Sequence, residues 1–304
     1  MEEATFCHVA ARTERGPHLT PVVFVLDAGA LWMTTSRASA KARAWRRDPF
    51  VAGMVRTDTA AVVFRGRVRT HDALDPHSWP AISGGPAVAR ASARFALRNA
   101  RFFAGYAVDA RRVPLVWGPA GRQFVRLSLH DGMVVDLETG ERVAAWGSWP
   151  ARGSSAFLPS FAPAARGRPL DLGAPADVRR AVGTGGDGAL AVEGRDGPLV
   201  LPVRWRRRAA EAAYEACLPK ALLRPARATA RPRVGLEVDR PGEWRARQMA
   251  GMLLRGEAEV FSPGATRGDA AALGERVPPG WALVRVRPSR VVWWRGWTSG
   301  TVAA

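Results

Sequence analysis

Thr34, Thr35 and Ser36 end one apolar run and lead directly into Arg37, Ser39, Lys41 and Arg43. Hydroxyls, cations and the first backbone N–H groups of a helix are the parts of a phosphate site, because all of them donate to one anion and charge-assisted bonds are the strongest. Lys41 is one of only two lysines, beside Lys220, in a chain with 43 arginines. The same residues also describe a solvated helix face, so the stretch has two readings on its residues alone.

Other chemistries find less support. The histidines, His8, His18, His71, His77 and His130, show no HxxxH or His/Cys spacing, so no metal site is expected. His18 or His71 could ligate a haem, although a lone histidine is more often structural. No GxSxG elbow occurs, and GTGGDG (183–188) lacks the Lys-Ser/Thr of a phosphate loop, so it reads as a turn before a strand. Cys7 and Cys217 are too isolated for a disulfide framework and fit a reducing cytoplasm.

The elements that must position these residues follow from periodicity. Alternating apolar residues at 5–11, 19–26 and 30–35 predict a three-strand meander, and 39–47 a short helix with Ser39 as N-cap, stopped by Asp48-Pro49. Strands over 51–55 and 60–70 follow, then a helix over 86–107 with Arg90, Arg94, Arg98 and Arg101 on one stripe, which is either a solvated face or a docking surface for an anionic partner. Strands over 123–129 and 133–137, joined by HisAspGly, close the first half.

The order then repeats. GPHLTPVVF (16–24), SAKARAWRRDPFVAGMV (39–55) and VFRGRVRTHD (63–72) recur as GPLVLPVRW (197–205), LLRPARATARPRVGLEV (222–238) and LLRGEAEVF (253–261). The offset is 181 for Gly16 to Gly197 and 183 for Pro49 to Pro232, as small loop insertions would give. A mainly β chain of two tandem antiparallel barrels with short helices is expected. The first occupies 1–149, the Pro/Gly-rich stretch 150–175 is the linker, and the second occupies 176–304, with a helix over 176–182, a first strand over 190–193 and last strands over 283–287 and 291–294.

At 304 residues, 47% hydrophobic and 24% charged, the composition is that of a globular protein, which argues against disorder. No apolar run is long enough for a membrane helix and the N-terminus does not read as an export signal, so a cytoplasmic protein without a membrane partner is expected. The net charge of +18 attracts anions, but its arginines are spread along the chain beside abundant Ala and Gly, as GC-rich codon usage would produce. RAWRR (43–47) and RWRRR (204–208) keep a nucleic-acid module as a minor alternative.

The segment HLTPVVFVLDAGALWMTTSRASAKARAWRRDPFVAGMV (18–55) resembles the core of the pyridoxamine 5'-phosphate oxidase-like proteins, the FMN-binding split-barrel superfamily that also contains deazaflavin-dependent reductases; ALVRVRPSRVVWWRGW (282–297) resembles its closing strands. The resemblance implies two split barrels packed as a pseudo-dimer, built here within one chain acting as a monomer or homodimer. It also implies FMN or the deazaflavin coenzyme F420 in the groove between them, and a flavin- or deazaflavin-dependent oxidoreductase passing hydride to or from a small organic substrate. A non-catalytic flavin- or haem-binding carrier or sensor is the alternative.

By position, the resemblance makes Thr34, Thr35, Ser36, Ser39 and Lys41 phosphate-side residues, with Arg37 and Arg43 as supplementary cations. Pro21, Val22 and Val23 would lie on the strand beneath the ring, and Trp293 and Trp294 would flank ring or substrate from the second half. Two departures matter. Ala40 stands where the family commonly has a basic residue, and the second copy replaces Thr34, Ser36, Arg37 and Lys41 by Cys217, Pro219, Lys220 and Arg224. One good site, at the first copy's loop, is therefore expected.

Overall fold

The computed structural model describes residues 1, 3–72, 75, 85–109, 111, 121–149, 173–194, 196–208, 213–223, 232–240, 248–261 and 280–303. Its first half runs β1 (Phe6–Ala11), β2 (His18–Asp27), β3 (Ala30–Ser36), α1 (Ala40–Arg47), β4 (Phe50–Arg56), β5 (Ala60–His71), α2 (Gly85–Arg98), α3 (Ala100–Val108), β6 (Arg122–Asp136) and β7 (Arg142–Trp146). Neighbouring strands follow the order β3-β2-β1-β4-β5-β6-β7, and β3 also pairs with β6, so six antiparallel strands close into a barrel with β7 added outside.

The second half repeats this plan: α4 (Ala176–Val182), β8 (Gly185–Gly194), β9 (Gly197–Arg208), β10 (Ala213–Pro219), α5 (Lys220–Leu223), β11 (Arg233–Arg240), β12 (Ala250–Phe261), β13 (Trp281–Arg295) and β14 (Thr298–Ala303). Its order is β10-β9-β8-β11-β12-β13-β14, closed by β10 on β13. The chain is mainly β, and its two closed six-stranded barrels are those expected from the repeat. No helix among the described residues is long and apolar enough to cross a membrane.

Strand alternation distributes the burial. Cys7, Val9, Val22, Phe24, Leu31, Met33, Val51 and Val55 fill the first barrel's interior. The intervening Ala10, Leu19, Ala52, Met54, Ala61 and Val63 face outward, yet are fully buried because they merge with the second barrel's core into one apolar cluster. β1 and β4 are thus buried on both faces, which is why they read as nearly continuous apolar runs. On the remaining outer face Val23, Val25 and Trp32 lie under Ala91 and Phe95 of α2.

Three expectations are corrected. The stretches 123–129 and 133–137 are one strand, as are 283–287 and 291–294: HisAspGly makes no hairpin, because Arg65 pairs with Asp131 and Gly66 with Leu129, leaving His130 as a bulge. β7 and β14, which follow, were not expected. The helix over 86–107 is two helices meeting at Asn99, and GTGGDG enters β8 at Gly185 instead of remaining a turn. Most of the expected linker, residues 150–172, lies outside the described residues.

The bulges explain two glycines. A Cβ on Gly66 would stand 2.1 Å from Ser128 O, and one on Gly256, at the matching bulge of β12, 2.1 Å from Arg287 O. The obstacle is backbone, which cannot rotate away. Gly66→Ala and Gly256→Ala are each expected to destabilise the chain by about 3 kcal/mol in denaturant melts. Gly85→Ala, with nothing within 4 Å of the new methyl, is the control and shifts the midpoint little.

The arginine stripe is fastened to the barrel. Arg90 and Arg94 both donate to Asp27, at 3.0 and 2.7 Å, and Arg98 donates to the Ala4 carbonyl with its guanidinium 5.2 Å from the Phe24 ring centroid. In RAWRR and RWRRR the tryptophans Trp45 and Trp205 are buried in the cores, so neither presents a stacking ring to a base.

Candidate functional site

β3 ends at Ser36 and α1 starts at Ala40, so residues 37–39 turn the corner from a barrel strand into a helix. Ser39 is the N-cap: its Oγ accepts from Ala42 N at 3.1 Å and shares a hydrogen bond with Thr35 Oγ1 at 3.0 Å. The first amides of α1 have no intrahelical acceptor, so the corner carries the positive end of the helix. Half-buried Ser36 accepts from Ala38 N at 3.3 Å.

Two cations flank this corner, Arg122 from β6 and Lys41 from the first turn of α1. Arg122, at the start of β6, donates to Thr34 Oγ1 through Nη2 at 2.6 Å and Nε at 3.0 Å, and to the Thr34 carbonyl at 3.1 Å. Lys41 extends inward, its Nζ 3.0 Å from Thr20 Oγ1 on β2. Burial, and next the Arg122 charge, pull the Lys41 ammonium down to about 7 against the opposing pull of Glu237 and Cys7. Arg37 turns to Asp72, Nη2 to Oδ1 at 2.6 Å, and exposed Arg43 donates to the Ala38 carbonyl.

Of the ring-side residues, Pro21 is half-buried opposite His8, Val22 points into the barrel and Val23 lies under α2. Successive strand residues face opposite ways, and this separates the two tryptophans. Trp293 lies across Gly300 of β14. Trp294 lies across Gly251 beside Asp239, on the β11–β12–β13 face that meets the first barrel.

That face supplies residues the sequence reading passed over. Glu237 Oε2 is 3.0 Å from His8 Nδ1, and the ligand atoms of His8, Glu237 and Asp239 lie within 4.8 Å of one another. Burial alone lowers the His8 pKa, but Glu237's charge and hydrogen bond outweigh it and lift His8 to about 9. His18 sits near Lys41 and Arg255, and burial followed by their charges pushes it down to about 3, so it is neutral. His71 lies against Trp32, ring centroids 5.4 Å apart. No spacing rule joins His8 to Glu237, 229 positions away. The signal that finds them is the repeat combined with strand register.

The register also defines the symmetry-related groove. Pro202, Cys217 and Pro219 of the second barrel take the places of Pro21, Thr34 and Ser36, and with Arg56, Asp136 and Glu138 of the first barrel they line a cleft of about 360 Å³. Asp136 pairs with Ala60 as Arg295 pairs with Ala250, so Arg295 and Trp297 are the counterparts of Asp136 and Glu138 in strand register, and Arg295 is paired with Asp177 of α4. The corner of the first groove is hydroxyl-rich and basic; the second cleft has Cys217 and Pro219 in place of two of those hydroxyls and mixes Asp136, Glu138 and Asp187 with Arg56, Arg204 and Thr59. Hydroxyls, a capped helix start and Lys41 and Arg122 fit a phosphate; Cys217, Pro219, Asp136 and Glu138 do not.

Residues 1–85 match the family model described as pyridoxamine 5'-phosphate oxidase. No curated protein matches in sequence. Solved structures similar to this chain include a heme binding protein from Mycobacterium smegmatis (21% identity over 42% of this chain and 58% of that one, TM-score 0.33). Others are General Stress Protein 26 from Bacillus anthracis (11%, 46% and 88%, 0.30) and a FAD-binding protein from Mesorhizobium loti (14%, 43% and 84%, 0.29). The family model thus covers residues 1–85, within the first barrel, and the second barrel repeats that barrel's closed strand order.

Proposed function

We propose that the chain is an oxidoreductase that holds FMN or coenzyme F420 in its first inter-barrel groove and passes hydride to or from a small organic substrate. The observation that supports this reading is the capped helix start beside Thr34, Thr35, Ser36 and Ser39 with Arg122 on Thr34, a corner whose counterparts in the other cleft are Cys217 and Pro219 at the positions of Thr34 and Ser36. The bound cofactor supplies the hydride chemistry; the protein binds, orients and tunes it.

In this proposal Ser39, Ser36 and the first amides of α1 take the phosphate, with Lys41 and Arg122 as charged donors and Arg43 at the mouth. Arg37, committed to Asp72, braces the corner. Backbone groups at Pro21, Val22 and Val23 line one side of the ring, since Val22 and Val23 direct their side chains elsewhere, and Trp294 approaches from the second barrel. Both walls belong to one chain, so a monomer contains a whole site, and the substrate enters beside the ring.

Absorption and fluorescence titration of the purified full chain with FMN and with F420 tests this. One cofactor per chain is expected for whichever binds, followed by its reduction or reoxidation with a substrate. Two cofactors per chain would refute the one-groove assignment. Binding of neither cofactor, or a haem spectrum, would refute the redox reading itself; cofactor bound but inert to every donor would make the protein a carrier.

A further inference from the structure

We propose that His8, Glu237 and Asp239 form a three-ligand site for a divalent transition-metal ion in the seam between the barrels. The proposal is independent of the flavin reading. His8 projects from β1 of the first barrel, Glu237 and Asp239 from one face of β11 of the second, and their ligand atoms already lie within 4.8 Å of one another. Metal–ligand distances of about 2.1 Å would draw these atoms to roughly 3.4 Å apart, a shift that half-buried Asp239 can make by rotating its side chain.

The second observation is at Glu237. Its side chain is fully buried, only Oε2 is engaged, by His8, and Oε1 has no hydrogen-bond partner among the described residues. A buried carboxylate oxygen without a donor is costly, and carboxylates in that situation are paired or coordinate metals.

Barrel packing does not require this arrangement. His8 faces Met54 across β1–β4, and Ala189 faces Glu237 across β8–β11, so the pseudo-twofold exchanges His8 with Ala189 and Glu237 with Met54. On the other side of the same interface, Ala189 and Met54 belong to the continuous apolar core. There Asp239's counterpart is Arg56, paired with Asp187 at 2.7 Å, so the imidazole–carboxylate combination stands on the side of the first groove, where His8 pairs with Pro21.

The donor set selects the ion class. One imidazole and two carboxylates suit zinc, manganese, iron or cobalt over calcium or magnesium, which prefer all-oxygen cages. Three protein ligands leave coordination positions open toward half-exposed Asp239, as in sites that bind a further ligand.

The test uses the full chain, stripped with EDTA and dialysed against Zn²⁺, with Co²⁺ as the spectroscopic probe. One ion per chain and a visible Co²⁺ d–d spectrum are expected. His8→Ala and Glu237→Gln should each weaken Co²⁺ binding at least about tenfold, and exposed His130→Ala should leave it unchanged. Should Glu237→Gln fail to fold, Asp239→Asn, at the half-exposed ligand, carries the same test. No retained Zn²⁺, or retention equal in native, His8→Ala and Asp239→Asn chains, overturns the proposal.

Discussion

Lys41→Ala is expected to lower the affinity for the proposed cofactor, FMN or F420, about ten- to hundredfold, while Lys220→Ala should leave it within about twofold. A hydrogen bond to a charged group contributes about 1.5–3 kcal/mol, which is that range of affinity. Lys41 reaches Thr20 from the helix that follows the hydroxyl corner, whereas Lys220 opens the four-residue α5 after Pro219, beside the second cleft. Equal losses for the two variants would sink the one-groove assignment.

The same lysine sets a pH dependence whose sign is opposite for folding and for binding. Its folded pKa, about 7, lies below the ordinary 10.5, so between these values the unfolded chain holds the proton and the folded chain does not. Stability from this group therefore rises with pH across that window. A phosphate that needs the ammonium sees the reverse: above about pH 7 it must recruit a proton, and affinity falls by up to about tenfold per pH unit. Cofactor Kd measured from pH 6 to 9 should follow this slope in the native chain. In Lys41→Arg, whose guanidinium stays protonated, the slope should flatten; an unchanged slope would remove Lys41 from the site.

The barrels were legible because each strand carries its own alternation and because the blocks recur in order. The strands joined by HisAspGly were misread because a bulge and a hairpin both want small polar residues, and only the partner strand decides between them: Gly66, a strand away, lets Ser128 O approach. The hydroxyl corner was legible because its parts are contiguous. Arg122, Glu237 and Asp239 were not, since each enters through barrel closure or barrel docking, and closure of β3 on β6 is what sets Arg122 beside Thr34. Even the two tryptophans, adjacent in sequence, face opposite ways once the strand exists.

The two barrels also solve one outer face differently, and the largest expected loss of stability follows from this. The register that places Val25 against Trp32 under α2 in the first barrel places Arg206 against Glu215 in the second, where no helix among the described residues covers the face. Glu215, 1% exposed, accepts from Arg206 at 2.9 Å, Arg208 at 3.2 Å and Arg285 at 3.0 Å. Burial alone would raise its pKa, and the three guanidiniums more than reverse that, holding it below the ordinary 4.5. Stability from Glu215 is thus fully present above about pH 4.5 and is lost as pH falls through the lower folded value. Glu215→Ala removes the carboxylate on which three cations converge, Arg285 among them at 8% exposure, and should cost about 3–5 kcal/mol in denaturant unfolding near pH 7. Adding Arg285→Leu to it should recover part of that loss, because the two residues are coupled and their effects do not add. Full additivity of the pair, or a loss below about 1 kcal/mol for Glu215→Ala, would show that the cluster is no more than a surface ion pair.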